Sequence, residues 1–301
     1  MKTKLNIHPD VQKALDNNHP VIALESTLIT HGFPAPDNLE VARQIEQAVR
    51  DEGALPATIA ILGGTITVGL TDEQLNYLAS AKNVRKCSRR DFAIAVARKE
   101  DGATTVAGTM IVAHRAGIPI FATGGIGGVH RGQPFDESAD LMEMTRTPVA
   151  VVCAGAKAIL DLPLTREVLE TRGVPMIGYQ TDELPAFYSR KSGLPIDQRV
   201  DTPAEVATII NAHRQMSIMS GLLVTVPVPA DAEWPADEAQ IVIDKALADA
   251  KAQNIVGKAV TPYLLGRVSD LSDGRSKRAN IALLVNNARV AAQIGVALAE
   301  G

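Results

Sequence analysis

The amino-acid sequence predicts an α/β protein, a three-layer α/β/α sandwich with a mainly parallel sheet at its centre. Short apolar runs rich in valine and isoleucine alternate with longer amphipathic stretches, as in strands joined by crossover helices. The 301 residues are 46% hydrophobic but only 3% aromatic, so aliphatic side chains must build the core. No run of about 18 apolar residues breaks this pattern, and we expect no transmembrane helix.

Seven runs are predicted to be strands, because short β-branched runs bounded by turn residues are typical of buried strands. In chain order they are Val21–Leu24, Ala57–Leu62, Thr65–Val68, Ile118–Ala122, Val149–Cys153, Met176–Tyr179 and Leu222–Val226. Parallel strands of this kind are buried on both faces, which explains why these runs are apolar throughout rather than alternating.

Ten stretches are predicted to be helices, because their apolar residues recur at helical spacing. In chain order they are Asp37–Glu52, Thr71–Leu78, Asp91–Lys99, Met110–Ala116, Ser138–Met144, Leu164–Thr171, Pro203–Met216, Ala236–Ala252, Pro262–Leu271 and Ser276–Ala299. The sequence has no internal repeat, and its best candidate loop, Val226–Asp237, is too short to separate domains. We therefore expect residues 1–301 to form a single domain.

The charge balance argues against a general nucleic-acid binder. The chain has 34 acidic and 30 basic residues, a formal net charge of −4, whereas such a protein needs a strongly basic surface. The N-terminal segment is polar and lacks the apolar core of a signal peptide. Cys87 and Cys153 are too few for a disulfide framework, so we expect the reducing cytoplasm.

A single charged residue, Lys157, stands in the apolar segment 147–160. The run Val149–Cys153 is predicted to be a strand, and after a turn a helix is expected to begin near Lys157. This places an amine at the carboxyl end of a buried strand, where open α/β sheets bind ligands. Burial favours the neutral amine, a nucleophile that forms Schiff bases with carbonyl groups. A lysine that reaches solvent from a helix start is the alternative.

Glu25 has a similar position, directly after the run Val21–Leu24. Two ionisable groups that end two core strands are expected to share one site, where a lysine and a carboxylic acid make a workable acid/base pair. An exposed residue at the end of a strand is the alternative for Glu25.

Two groups of glycines follow predicted strands: Gly63-Gly64, and the run Thr123–Gly132. Glycine allows positive φ and close approach of the backbone to a ligand, and successive N–H groups can form an anion-binding nest. The second run is not a dinucleotide fingerprint, because no acidic residue follows at the expected distance. Tight turns at the edge of the sheet are the alternative.

Four cations fall within Arg85–Arg90, and three acids fall within Pro134–Asp140. The cationic segment suits a phosphate or another anion, although a solvated surface patch fits it too. Asp136 and Asp140 would share one helix face, which favours a hard divalent metal such as Mg²⁺ or Mn²⁺ between them. An acidic helix N-terminus stabilised by the helix dipole is the alternative.

Three asparagines lie on a largely apolar helix predicted near the C-terminus. Because buried amides need partners, Asn280 or Asn287 could read the amide edge of a base. A structural cap to a neighbouring loop is the alternative.

Taken together, these segments resemble the pseudouridine-5′-phosphate glycosidase family, also called the indigoidine synthase A-like family. The resemblance runs from about Ile7 to Ile294. The blocks that match are Ala23–Thr27, Pro56–Ala60, Ser88–Asp91, Gly102–Val106, Phe121–Gly132, Ser138–Leu141, Val152–Lys157 and Gly178–Gln180.

This resemblance implies an α/β/α fold, a homotrimer, and reversible cleavage of pseudouridine 5′-phosphate to uracil and ribose 5-phosphate with a divalent metal, typically Mn²⁺. Carried over by motif, Lys157 is expected to be the nucleophile and Glu25 the proton donor. Lys86 and Val106 are expected to contact substrate, and Asp136 to bind the metal. The remaining substrate-site residues implied are Ser138, Ala139, Asp140 and, facing uracil, Asn280.

Two other functions fit parts of the same sequence. A Schiff-base aldolase or another lyase acting on a sugar phosphate would share Lys157 and the cationic segment, but would not need Asn280 to read a base. A nucleotide-binding or pigment-pathway accessory protein would bind without turnover. A small-molecule partner, rather than a nucleic acid or a membrane, is common to all three interpretations.

Overall fold

The computed structural model describes residues 5–255, 257 and 260–301. Within these ranges the chain forms a central sheet of eleven strands, a separate sheet of three strands, and helices on both faces of the central sheet. The predicted α/β class and three-layer arrangement are confirmed.

The strands differ widely in length. They are β1 (Asn6–Ile7), β2 (Val21–Leu24), β3 (Leu55–Leu62), β4 (Thr65–Val68), β5 (Arg85–Cys87), β6 (Gly102–Thr104), β7 (Ile120–Ala122), β8 (Val129–His130), β9 (Gln133–Glu137), β10 (Ala150–Cys153), β11 (Leu160–Asp161), β12 (Met176–Tyr179), β13 (Gln198–Val200) and β14 (Leu222–Thr225).

Helices join most of these strands. They are α1 (Pro9–Asp16), α2 (Asp37–Asp51), α3 (Asp72–Ser80), α4 (Phe92–Ala97), α5 (Val106–Ala116), α6 (Ala139–Met144), α7 (Leu162–Thr171), α8 (Pro203–Gln215), α9 (Ala236–Ala252), α10 (Val260–Leu271) and α11 (Arg275–Glu300). A π-helical turn spans Leu28–Gly32, and short 3₁₀ turns span Arg89–Asp91 and Ala230–Ala232.

The central sheet is mainly parallel. Its long path runs β1-β4-β3-β2-β7-β10-β14-β12-β13, and the stretch from β3 to β13 is parallel throughout. β4 and β6 pair antiparallel with β3. The β3–β4 hairpin turns at Gly63 and Gly64, which both have positive φ, so this glycine pair forms a tight turn at the sheet edge.

Each face of the sheet has a central helix. α11 packs over β2, β7 and β10 between α2 and α8, and α5 covers β2, β3 and β7 from the other face. Gly295 lets α11 approach closely, because a Cβ there would lie 2.9 Å from the Ile22 side chain. α11 is long and apolar enough to cross a membrane by length and composition alone, but it packs here as a core helix.

All seven predicted strands are present, and three have the predicted bounds. The unpredicted strands are short and often polar, so they leave no clear period-two pattern. The sequence analysis did not predict these seven strands: β1, β5, β6, β8, β9, β11 and β13. The eight-residue α1 was also missed. The helix predicted over Asp91–Lys99 spans only Phe92–Ala97, because Asp91 belongs to the preceding 3₁₀ turn.

Candidate active site

The candidate site centres on the carboxyl ends of three neighbouring parallel strands. Glu25 follows β2 directly, and Lys157 lies in the loop after β10. β7 lies between these strands, and Leu24 aligns with Ala122, which aligns with Val152. The three strands therefore end at one level, and they bring an acid and an amine to the same edge of the sheet.

Glu25 is a buried carboxyl group that two hydroxyl groups hold in place. It is 7% exposed. The Thr27 hydroxyl donates to Glu25 Oε2, and the Thr123 hydroxyl donates to Oε1. Because a hydroxyl can also accept a hydrogen bond, the same contacts fit the protonated acid. Both oxygens thus keep one orientation in either protonation state.

Lys157 lies in an irregular loop, so the helix predicted to begin near it is wrong. Its backbone N–H donates to the Ile126 carbonyl at 3.1 Å, and the Ile126 N–H donates to the Gly155 carbonyl at 3.0 Å. These bonds link the loop after β10 to the loop after β7. The side chain is half-buried, and no described residue forms a hydrogen bond or ion pair with its amine.

The glycine-rich loop after β7 packs tightly against the protein itself. A Cβ at Gly125 would lie 2.7 Å from the Phe187 ring, and one at Gly127 would lie 2.2 Å from Ser138 Oγ. The Gly127 N–H already donates to Asp140 Oδ2 at 2.8 Å. Close packing therefore requires these glycines, and the expected anion-binding nest is not needed to explain them.

These groups line a cleft with two adjoining lobes. The residues that line both are Glu25, Thr27, Lys86, Lys157 and Thr261. The inner lobe, about 70 Å³, has mostly apolar walls and also holds His31 and Asn280. The outer lobe, about 700 Å³, is lined by many charged side chains of both signs. It contains the other predicted residues: Val106, Asp136, Ser138, Ala139 and Asp140.

The structure separates the four cations that the sequence could not rank. Lys86, on β5, lies at the junction of the two lobes. Arg85 points elsewhere, to Glu100 at 2.5 Å. Arg89 and Arg90 line the outer lobe. A cationic segment of six residues thus supplies one amine to the junction and two guanidinium groups to the outer wall.

The two guanidinium groups of the outer wall are not equivalent. Arg89 makes a bidentate contact with Glu143, at 2.8 and 2.5 Å. Glu143 is fully buried, and its hydrogen bond raises the pKa of Arg89. Arg90 is largely exposed, 3.9 Å from Asp91, and Arg146 is 3.7 Å from Glu143. Arg89 is therefore held by the protein, whereas Arg90 has room to turn towards an anion.

The predicted pairing of Asp136 and Asp140 on one helix face is wrong. Asp136 lies on β9, half-exposed, with Oδ2 2.9 Å from Nδ1 of His130. Asp140 lies on α6 and is buried, and it accepts the backbone N–H groups of Ala107 and Gly127 at 2.9 and 2.8 Å. The segment begins as a hairpin strand, so the i,i+4 spacing has no helical meaning there.

The residues near Asp136 fit a divalent metal that keeps most of its water. In the described part of the chain, no group of three or more His, Cys, Asp or Glu could enclose an ion. Asp136 and His130 instead offer one carboxylate and one imidazole beside the open outer lobe. Mg²⁺-like ions commonly bind through one or two carboxylates plus water and substrate phosphate.

Val106 and Ala139 each begin a helix at the wall of the outer lobe. Val106 is 1% exposed and forms part of the lobe wall. Thr105 caps α5 by accepting the Gly108 N–H, and Ser138 caps α6 by accepting the Asp140 N–H, both at 3.2 Å. The Ala107 N–H also donates to Asp140 Oδ1, at 2.9 Å, so the protein itself satisfies much of the first turn of α5.

The two asparagines of α11 have different positions. Asn280 lines the inner lobe. Asn287 is buried two turns later and donates to the carbonyls of Thr123 and Gly124, at 2.9 and 3.4 Å. Asn287 is thus a cap for the loop after β7, and Asn280 is the amide that faces the cleft.

Sequence reasoning missed His31 and Thr123. His31 lies on the π-helical turn after Glu25 and faces the inner lobe. Burial, and then the charge of Lys86, lower its pKa. Thr123 follows β7 directly, so it could have been found by the strand-end argument that identified Glu25. No comparable signal in the sequence pointed to His31.

The family model described as "Indigoidine synthase A like protein" matches residues 10–297. A pseudouridine-5′-phosphate glycosidase of Solibacter usitatus is 57% identical over 98% of this chain and 99% of its own. The pseudouridine-5′-phosphate glycosidase of Paracoccus denitrificans is 55% identical over 99% of this chain and 100% of its own.

Two solved structures are similar throughout. An indigoidine synthase A-like protein from Thermotoga maritima has a TM-score of 0.90 at 35% identity, covering 98% of this chain and 96% of its own. The prealnumycin C-glycosynthase AlnA, in complex with ribulose 5-phosphate, has a TM-score of 0.92 at 42% identity. The match covers 100% of this chain and 98% of AlnA. The chain therefore belongs to the indigoidine synthase A-like family.

Proposed function

We propose that this protein reversibly cleaves the C–C glycosidic bond of pseudouridine 5′-phosphate to give uracil and ribose 5-phosphate. The observation that supports this most is the position of Lys157 and Glu25 at the junction of two unlike lobes. A small lobe with apolar walls and one amide suits a pyrimidine. A larger lobe with cationic walls suits a ribose phosphate.

In this proposal the C1′–C5 bond of the substrate lies at the junction. The uracil ring occupies the inner lobe against Asn280. The phosphate occupies the outer lobe near Arg90 and the start of α5, where Val106 forms part of the wall. Lys86 lies close enough to both lobes to keep the two halves of the substrate in register. Ser138 and Ala139 line the ribose-phosphate side, and Asp140 holds the loops there.

The reaction proceeds in three steps. The Lys157 amine bonds to C1′ while the C1′–O4′ bond breaks, and the proton that the nitrogen loses passes by way of Glu25 to O4′. C5 then takes a proton with the electrons of its C5=C6 bond, the nitrogen lone pair forms C1′=N⁺, and the C1′–C5 electron pair restores C5=C6. Water finally hydrolyses the imine to ribose 5-phosphate and the free amine. Glu25, beside Lys157, delivers the protons.

We also propose a divalent ion, Mn²⁺ or a similar metal, held by Asp136 with His130. When bound, such an ion would neutralise phosphate charge and help to orient the sugar. The charged side chains that line the outer lobe support this assignment, as does the preference of hard ions for oxygen ligands.

One assay tests the activity: release of uracil from pseudouridine 5′-phosphate, followed chromatographically with and without Mn²⁺. Borohydride treatment with ribose 5-phosphate, followed by peptide mass mapping, should place a reduced adduct on Lys157. An adduct on Lys86, or no uracil release under any metal condition, would overturn the proposal.

A C-glycoside synthase or Schiff-base lyase acting on a different partner is the second candidate. The similarity to a C-glycosynthase whose structure holds ribulose 5-phosphate favours it. Such an enzyme would form the Lys157 imine with the sugar phosphate but would not consume uracil. Incubation with uracil and ribose 5-phosphate, measuring loss of uracil, separates the two.

We further propose a homotrimer in the cytoplasm. Phe135, on β9, is fully exposed and Met142 nearby is partly exposed, and a neighbouring subunit would cover such side chains. Light scattering that gives a single chain of 31.9 kDa would rule out the trimer.

A further inference from the structure

We propose that Arg131 is a positioning residue for the Lys157 amine: its guanidinium group holds the turn that begins at Lys157 and so fixes where the amine stands in the cleft. This inference rests on the proposed function, in which Lys157 attacks the sugar. In the described part of the chain Arg131 lines neither lobe of the cleft, so it acts on the reaction through the backbone.

Lys157 is the first residue of a tight turn. The Leu160 N–H donates to the Lys157 carbonyl at 3.0 Å, which closes a turn over residues 157–160. β11 then begins at Leu160 and pairs antiparallel with β8. Before the turn, the Lys157 N–H is bound to the Ile126 carbonyl. The orientation of Lys157 therefore depends both on the loop before it and on the turn after it.

Arg131 binds this turn with two donors of one planar group. It follows β8 directly, and its Nε donates to the Leu160 carbonyl at 3.0 Å. Its Nη2 donates to the Ala158 carbonyl at 2.8 Å. The donors of a guanidinium group have a fixed geometry, so the two carbonyl groups are held in one arrangement relative to β8. The fork thus ties the turn after Lys157 to the β8–β9 hairpin.

The remaining contacts of Arg131 are longer and come from α9. Nη2 lies 3.3 Å from Gln240 Oε1, and Nη1 lies 3.4 Å from Asp244 Oδ1. The Arg131 side chain is 27% exposed but that of Asp244 is 62% exposed, so this ion pair is open to water and worth little. The shortest bonds of the guanidinium group go to the turn rather than to the carboxylate.

The burial of Arg131 has a cost that stability alone does not explain. Burial lowers the pKa of Arg131, because the charge is partly removed from water. An apolar side chain of similar volume often stabilises a fold as well as a buried ion does. The two bonds to the turn instead point to a role in placing Lys157.

The proposed chemistry depends on this placement. Attack on C1′ needs the amine about 3–3.5 Å from that carbon and aligned with it, and a displacement of about 1 Å can cost about 100-fold in rate. The half-buried Lys157 side chain has no hydrogen-bond partner among the described residues, so its backbone must limit the positions of the amine. Loss of Arg131 should therefore slow bond formation more than it weakens binding of the sugar phosphate.

Rapid quenching with borohydride tests this role, because it gives the rate at which ribose 5-phosphate forms an adduct on Lys157. The rate is measured over a range of ribose 5-phosphate concentrations. Arg131→Met keeps an apolar stem but removes every donor, and Arg131→Lys keeps the charge but not the planar fork. Asp244→Asn removes the charge on α9 and leaves both carbonyl bonds.

Arg166→Met is the matched control. The Arg166 side chain is 18% exposed, and its Nε donates to the Pro195 carbonyl at 3.2 Å, so it also binds the backbone of a loop. It lies outside the cleft. Any general effect of removing such an arginine should appear in this variant too.

We expect Arg131→Met to lower the saturating rate of adduct formation by about 10- to 100-fold, with little change in the concentration that gives half the maximal rate. Arg131→Lys should restore part of the rate, and Asp244→Asn and Arg166→Met should keep it. A purely structural role predicts a lower Tm with a normal rate per folded molecule.

An unchanged saturating rate in either folded Arg131 variant would overturn the inference, and so would an equal loss in Arg166→Met. If Arg131→Met does not fold, Arg131→Lys decides, because an ammonium group on a flexible stem does not reproduce the fork.

Failure of the proposed function gives a different result, since wild type itself then forms no adduct on Lys157. Arg131 is in that case judged by acetylation with acetic anhydride, comparing Lys157 with the exposed Lys191 by peptide mass mapping. We expect the ratio of Lys157 to Lys191 acetylation to rise in the folded Arg131 variant, because a loosened turn frees the half-buried amine. An equal ratio in wild type and variant would overturn the inference.

Discussion

The strand ends that carry Glu25 and Lys157 differ from the β8–β9 hairpin that carries Asp136 in how their residues are held. Glu25 and Lys157 follow core strands. Two hydroxyl groups hold the Glu25 carboxyl group, and backbone hydrogen bonds hold the loop that carries Lys157. Asp136 instead lies half-exposed on the short hairpin of β8 and β9, beside His130. The sheet therefore positions the two residues proposed for bond cleavage, whereas the residues proposed for the metal are open to solvent and can adapt to its ligands.

Removing the amine should have the largest effect. Lys157→Ala is expected to lower kcat by at least about 10³-fold, because the covalent route is lost, and to abolish borohydride trapping. Lys191→Ala, which removes an exposed lysine outside the cleft, is the control and should keep full activity. Substantial activity in Lys157→Ala would place the nucleophile elsewhere.

Glu25→Gln keeps the shape of the side chain but cannot deliver a proton. We expect kcat to fall by about 10²–10⁴-fold with little change in KM. Glu46→Gln is a matched control, because Glu46 is equally buried and bonded to the Thr58 hydroxyl but lies outside the cleft. A near-normal kcat with a greatly raised KM would show that Glu25 positions substrate, and Asp140 would be the next candidate acid.

The β8–β9 hairpin should respond more weakly. Asp136→Asn is expected to raise the Mn²⁺ concentration needed for half-maximal activity by about 10-fold or more, since a charged ligand is lost, while kcat at saturating metal changes less. Asp197→Asn, at an exposed site away from the cleft, is the control. Wild type that keeps its full rate after EDTA treatment, without added metal, would refute the metal assignment.

The same contrast decides what the sequence could predict. Buried parallel strands leave long apolar runs, so an ionisable residue just after a run is conspicuous, and Glu25 and Lys157 were found in this way. Asp136 and Asp140 were placed on one helix face, because two acids four residues apart give the same sequence pattern on a helix and on a short polar hairpin. His31 was missed because its position depends on a π-helical turn, which no pattern in the sequence marks.

Adjacent arginines offer a test of stability within the outer wall. Arg89→Ala leaves the fully buried Glu143 with only the longer contact to Arg146 and the Thr147 hydroxyl. We expect the free energy of unfolding to fall by about 1–3 kcal/mol. Arg90→Ala should change it by less than about 0.5 kcal/mol but weaken phosphate binding. Equal losses in urea denaturation would contradict this division of roles.

The smallest predicted effect connects the two lobes. Lys86→Met removes a positive charge that lowers the pKa of His31, so this pKa should rise towards 6.5 when followed by NMR in the ligand-free protein. It should stay below 6.5, because burial is the larger cause and remains.

Lys157→Met is the matched control, since it removes a cation from the same lobes that is not among the causes of the His31 shift. The direction of this pKa change also predicts the charge of the ring. As the pH falls below 6.5, His31 should stay neutral to a lower pH in wild type than in Lys86→Met. If the pKa of His31 does not change in Lys86→Met, the charge of Lys86 does not act on His31.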